Sequence, residues 1–218
     1  MTAYFQKELE KIKKMILSLG AMVEERVHMA VKAIILKDIE IARKIIKTDY
    51  EIDDMEVEVE EECLKILVLH QPVAVDLRFL IAVLKINNDL ERVADEAVNI
   101  AQRVEHIAQR QAFDFAFDYS LMAEKASSML KKSLDALVTL DLDLAFKVCI
   151  LDDEVDTIKN NAYDLTKQAI HERPEHAGYF INLLLISRHL ERIADHATNI
   201  AEEVIYLIEG EIIRHGKF

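Results

Sequence analysis

LERVADEAVNIA occupies Leu90–Ala101, and LERIADHATNIA occupies Leu190–Ala201. Between Leu90–Val104 and Leu190–Val204, ten of fifteen positions are identical. The repeat extends upstream: KIIKTDYEID at Lys44–Asp53 parallels KVCILDDEVD at Lys147–Asp156. The offset is 100 residues in the first pair of blocks and 103 in the second, so three residues are lost around the intervening turn. The only two prolines, Pro72 and Pro174, stand at that equivalent corner, in HQP and HERP. Each half therefore reads helix, helix, proline turn, helix. A period near one hundred residues exceeds that of ordinary solenoids, and the economical architecture is two tandem three-helix bundles related by a pseudo-twofold.

Helical periodicity runs through nearly the whole chain. Four glycines and two prolines in 218 residues leave few places to break an element. The expected helices cover Thr2–Leu36, Asp38 to about His70 with a bend near Thr48–Tyr50, Ala74 to about Gln109, Tyr119–Leu140, Asp141 to about His171, and about His176 to Gly210. Asp38 and Asp141 are expected N-caps. The expected first bundle spans residues 1–110 and the second 119–213. Between them QAFDFAFD, Gln111–Asp118, lacks helical periodicity and is the expected linker. In the third helix Val83, Ile86, Leu90, Val93, Ala97, Ile100, Val104 and Ile107 form one apolar stripe and mark the core face.

Net charge is −13 and Trp is absent. Such a chain repels nucleic acid and offers no base-stacking platform; cations and basic protein surfaces suit it better. Cys63 and Cys149 lie outside any C-x-x-C pair and read as two free thiols in a reducing compartment. Charges throughout the first twenty residues argue against a signal peptide, and no apolar window is long enough to span a membrane. A cytoplasmic protein is expected.

The opening motif places Glu91 and Asp95 four residues apart, on the side of the helix away from the stripe; Glu191 and Asp195 repeat the pattern. A solvated face would explain any single pair. Like charges at this spacing cost about 0.2–0.5 kcal/mol, however, and the preceding helix of each half carries a matching pair, Asp49 with Asp53 and Asp152 with Asp156. Asp53 and Glu91 are each 19 residues from Pro72, so antiparallel packing brings them to one level. Four carboxylates per half suit a hard cation such as Mg, Ca, Mn or Fe. Asn99 and Asn199 continue the spacing and are possible supports for the ligands. From Asp49 to Glu62, nine of fourteen residues are acidic and none is basic; a solubilising stripe competes with cation binding there. Arg92 and Arg192 could satisfy nearby carboxylates without any metal.

These motifs, together with HQPVAVDLRFLIAVLKINNDLERVADEAVNIA at His70–Ala101, resemble the PhoU family of phosphate-uptake regulators over nearly the whole chain. The resemblance implies two three-helix bundles, metal clusters held by the acidic motifs, and no catalytic activity. The implied cofactors are divalent or ferric ions: Fe, Mn or Mg. It also implies negative regulation of phosphate-starvation signalling, through contacts with the phosphate transporter's ATPase subunit and a membrane sensor kinase. A homodimer is the expected assembly. His196 replaces Glu96, and Lys159 and Tyr163 replace Glu56 and Glu60, so the two clusters are expected to differ. Two other readings compete. One is a metal-free helical adaptor. The other is a ferritin-like di-iron oxidoreductase, for which Glu25-Arg-Val-His28 supplies one Glu-x-x-His motif and no second copy.

Overall fold

The structure is a computed structural model, and it describes residues 3–109 and 117–212. All regular elements among them are helical: α1 Ala3–Leu36, α2 Ile39–Lys47, α3 Tyr50–His70, α4 Ala74–Ala108, α5 Tyr119–Thr139, α6 Leu142–Glu172 and α7 Ala177–Glu209. A single 3-10 turn, Pro174–His176, leads into α7. The expected linker lies largely outside the described residues; its last member, Asp118, accepts from the Ser120 and Leu121 N–H groups and caps α5.

The expected bend in the second helix is a full break. Helix α2 ends where the Thr48 hydroxyl turns back on the Lys44 carbonyl, 3.0 Å away. The buried Arg26 guanidinium of α1 then donates to the carbonyls of Ile45 and Thr48, both at 2.9 Å, a favourable use of a cation at a helix C-terminus. Helix α3 restarts immediately, with Asp49 in the N-cap position. In the second half Leu151 stands where Thr48 would be, and α6 continues unbroken through Asp152 and Asp156. Among the described residues the first half therefore has four α-helices and the second three.

Helices α4 and α7 lie antiparallel against each other at the centre, with α1, α2 and α3 packed on α4 and α5 and α6 on α7. All eight residues of the predicted stripe are buried. Helix α4 also buries a second face against α7, where Asp89 and Glu96 lie. Helix α1 reaches across to α5. A Cβ on Gly20 would stand 2.9 Å from Leu134 Cδ2, so the absence of a side chain there permits the contact. The buried residues form one continuous core.

The central seam is pinned by charge. His189 Nδ1 lies 2.6 Å from Glu96 Oε2, and His196 Nδ1 lies 2.8 Å from Asp89 Oδ1. Adding 100 to the numbers of the two acids, 89 and 96, gives those of the two histidines, 189 and 196, so the contacts express the pseudo-twofold directly. Helix α4 supplies both acids and α7 both histidines. Arg192 adds a second contact to Glu96 at 2.8 Å, and Lys85 pairs with the buried Glu203 at 3.2 Å.

Candidate functional site

Of the acidic pairs, Glu91 and Asp95 lie on α4 and Glu191 and Asp195 on α7, while Asp49 and Asp53 open α3 and Asp152 and Asp156 lie on α6. In the first half Asp49 and Glu91 are half-buried while Asp53 and Asp95 are exposed; in the second, Asp152 and Glu191 are half-buried while Asp156 and Asp195 are exposed. Their titration shows which groups share a field. Asp49 is pushed above the usual aspartate range, first by loss of water, then by Asp53 and Asp95, with Arg26 opposing. Glu91 rises through burial, then Asp95, with smaller effects from Glu56 and Asp53 and relief from Arg92. Asp95 rises through burial, then Asp53 and Glu96. The antiparallel turn at Pro72 thus brings the acids of α3 and α4 into one electrostatic cluster, and Glu56 belongs to it. Asn87, buried on α4, donates to the Glu56 carbonyl at 2.9 Å and to its carboxylate at 3.1 Å.

The second half repeats the cluster. Asp152 is raised first by burial, then by Asp156, with a contribution from Glu191. Asp195 is pushed up to about 6, by burial first and then by Glu191, Asp152 and Asp156. Here, however, Lys159 supplies an internal counter-charge. Its ammonium donates to Glu191 at 2.8 Å and to Asp156 at 3.0 Å. The equivalent position in the first half is Glu56, so that cluster has an added acid where this one has a base.

Whether a cation suits these residues can be judged from what they leave unmet. Asp49 Oδ1 is buried and has no hydrogen-bond partner, an arrangement that costs free energy unless a cation or donor meets it. The donor set is all oxygen, as Mg, Mn, Ca or Fe prefer. Among the described residues, no group of three or more His, Cys, Asp or Glu side chains is placed closely enough to hold a metal ion.

Other side chains singled out in the sequence lie elsewhere. Asn199 donates to Asp89 at 3.1 Å and Asn99 bonds Glu96, so both amides serve the acids of the seam. Thr198, which the sequence reading passed over, reaches Asp152 at 3.4 Å. Arg192 serves Glu96. Glu25 and His28 of the lone Glu-x-x-His motif are exposed on α1, away from the bundle interior. Cys63 and Cys149 are buried free thiols, and desolvation pushes each up to about 12. No helix among the described residues is long and apolar enough to cross a membrane.

A family model, the PhoU domain, matches the chain twice, over residues 16–104 and 119–204. A phosphate-specific transport system accessory protein PhoU homolog from Clostridium acetobutylicum is 35% identical over 208 residues, covering 95% of each chain. The crystal structure of PhoU from Pseudomonas aeruginosa superposes with a TM-score of 0.91 at 36% identity, over 95% of this chain and 100% of that one. The crystal structure of the phosphate transport system regulatory protein PhoU from Streptococcus pneumoniae gives 0.84 at 31% identity, over 95% and 98%. With the duplicated bundle, the paired acidic motifs and these matches over almost its full length, the chain belongs to the PhoU family.

Proposed function

We propose that this chain is a negative regulator of phosphate uptake and of phosphate-starvation signalling, working by protein contacts rather than by catalysis. The observation that carries the reading is near-complete coverage by relatives named as phosphate transport accessory or regulatory proteins. Its partners are the ATPase subunit of the phosphate transporter and a membrane sensor kinase, which it meets in the cytoplasm as a homodimer. Its acidic surface suits basic patches on those partners.

Asp49, Asp53, Glu91 and Asp95 would hold a cation in the first half, and Asp152, Asp156, Glu191 and Asp195 in the second. A bound Fe, Mn or Mg ion would neutralise the clustered carboxylates and fix the flank of α3 against α4. The unmet oxygen of Asp49 supports this in the first half. Lys159 supports a second reading for the other half, a cluster closed by its own ammonium and needing no metal.

A strain lacking the chain tests the regulatory reading. A phosphate-starvation reporter should stay on in phosphate-rich medium and switch off when the gene is restored. Normal repression in the deletion strain would end it.

A further inference from the structure

Helix α3 has a face that its core packing does not use. Ile52, Val59, Cys63 and Ile66 are buried and fix the inward direction. On the opposite side Tyr50, Val57, Leu64 and Val68 follow at steps of seven, seven and four residues, which sets them on one line along the helix. They are 58%, 49%, 48% and 75% exposed. The line extends about 27 Å at a rise of about 1.5 Å per residue. It ends near the Pro72 corner, where Leu69 and Val73 are also exposed.

Single exposed aliphatics are ordinary. The duplication shows that this row is not. Aligning Asp49–Asp53 with Asp152–Asp156 carries the four positions onto α6 as Asp153, Asn160, Lys167 and His171, all polar and all exposed. The equivalent corner there reads Glu172, Arg173, Pro174, Glu175. Two copies of one fold thus present the same outward face, and only the first keeps it apolar.

The row is flanked mostly by acids, and Lys65, the base beside Leu64, is tied to Glu62 at 3.3 Å. Asp54, Glu58 and Glu61 border it on one side, and Asp53 and Glu60 on the other, all exposed. Two α3 helices facing each other would set these acids against their own copies, on chains each carrying a net charge of −13. An anionic bilayer meets the same repulsion. The complementary surface is an apolar seam bordered by Lys or Arg.

We propose that the Tyr50–Val68 ridge of α3 docks a basic amphipathic helix of a partner protein, its apolar seam on Val57, Leu64 and Val68 and its basic flanks against the bordering acids. The proposal rests on the reading of the chain as a regulator that works through protein contacts. It assigns that contact to one helix of one half.

The probe is a synthetic helical peptide of about five turns, with leucines along one seam and lysines on both sides, labelled for fluorescence anisotropy. The full chain should bind it, more weakly as salt rises. Val57→Asn, Leu64→Gln and Val68→Asn together, which leave every acid in place, should weaken binding at least tenfold at unchanged melting temperature. A peptide of identical composition with its leucines scattered around the helix should bind as weakly to both proteins. Equal binding of the seamed peptide to wild type and triple variant would overturn the proposal. So would a ridge-dependent self-association, or a ridge-dependent binding to anionic vesicles, in a chain that ignores the peptide. If the ridge binds the peptide but a deletion strain represses its starvation genes normally, the docking surface stands and the regulatory reading fails.

Discussion

Replacing Lys159 by Met should turn the closed cluster of the second half into an open one. Lys159 is 27% exposed and bonds Glu191, 17% exposed, and Asp156, 52% exposed. The pair with Asp156 is a surface interaction, worth a few tenths of a kcal/mol; the more buried pair with Glu191 is worth about 1 kcal/mol. In chelator-treated protein the substitution should therefore lose about 1–1.5 kcal/mol of stability by urea unfolding. Cation affinity should move the other way. A unit charge about 4 Å from a divalent ion repels it by about 2 kcal/mol even at the dielectric of water, and by more in a half-buried site. Removing it should tighten Mn²⁺ binding to this cluster about 30-fold or more. Isothermal titration with Mn²⁺ reads this directly. The reciprocal change, Glu56→Lys, shifts the first cluster by two unit charges and should weaken binding there by more than that factor. If Lys159→Met alters neither the affinity nor the number of bound ions, the second cluster does not compete between an ammonium and a cation, and the reasoning fails.

Two further outcomes test other parts of the account. Glu96→Leu strands His189 and Arg192 at the α4–α7 seam and should cost about 2–4 kcal/mol. The double change with His189→Leu should recover most of that loss in urea melts, whereas a double variant no better than the single one would mean the pair is not what the seam depends on. The pH dependence of cation-free protein should follow its raised carboxyls, Asp49, Glu56, Glu91, Asp95, Asp152 and foremost Asp195, whose folded pKa is raised from 3.8 to about 6. Stability from a raised carboxyl is fully present below its unfolded pKa and lost as pH rises through the folded one. Stability should thus fall between pH 4 and pH 7, by about 1 kcal/mol once solvent screening of this exposed group is allowed for. Glu96, whose burial is outweighed by the His189 hydrogen bond and the Arg192 charge, is held below the usual glutamate range and leaves the upper part of that window clear. Asp195→Asn, or saturating Mn²⁺, should flatten the slope, and an unchanged slope in both would refute the assignment.

The fold was legible because its strongest signals are local and duplicated. The eight-residue stripe from Val83 to Ile107, the two proline corners and the Asp38 and Asp141 caps needed no long-range knowledge, and each is present. The break at Thr48 was harder to read, since the guanidinium that seals it comes from Arg26 on another helix. The second buried face of α4 was missed for a related reason. Asp89 and Glu96 look like surface acids until His196 and His189 arrive from α7, about a hundred residues away in sequence. The seven-residue steps between Asp89 and Glu96, and between His189 and His196, were the available signal. The carboxylate clusters were legible as a pattern of repeated pairs. The role of Lys159 was visible only as a departure from the first half, and its bonds to both motif acids required the geometry.

The central claim is that the convergent acids are a cation site rather than a solvated charged face. Elemental analysis of protein purified without chelator or affinity metal tests it most directly, comparing wild type with the charge-neutral double variant Glu91→Gln, Asp95→Asn. These side chains lie off the buried stripe of Leu90, Val93, Ala97 and Ile100, so the helix content and melting behaviour should persist. Wild type should carry Fe, Mn or Mg at defined stoichiometry, and the variant should lose the share held by the first half. The same cation content in both proteins, or none above buffer in either, would contradict the account.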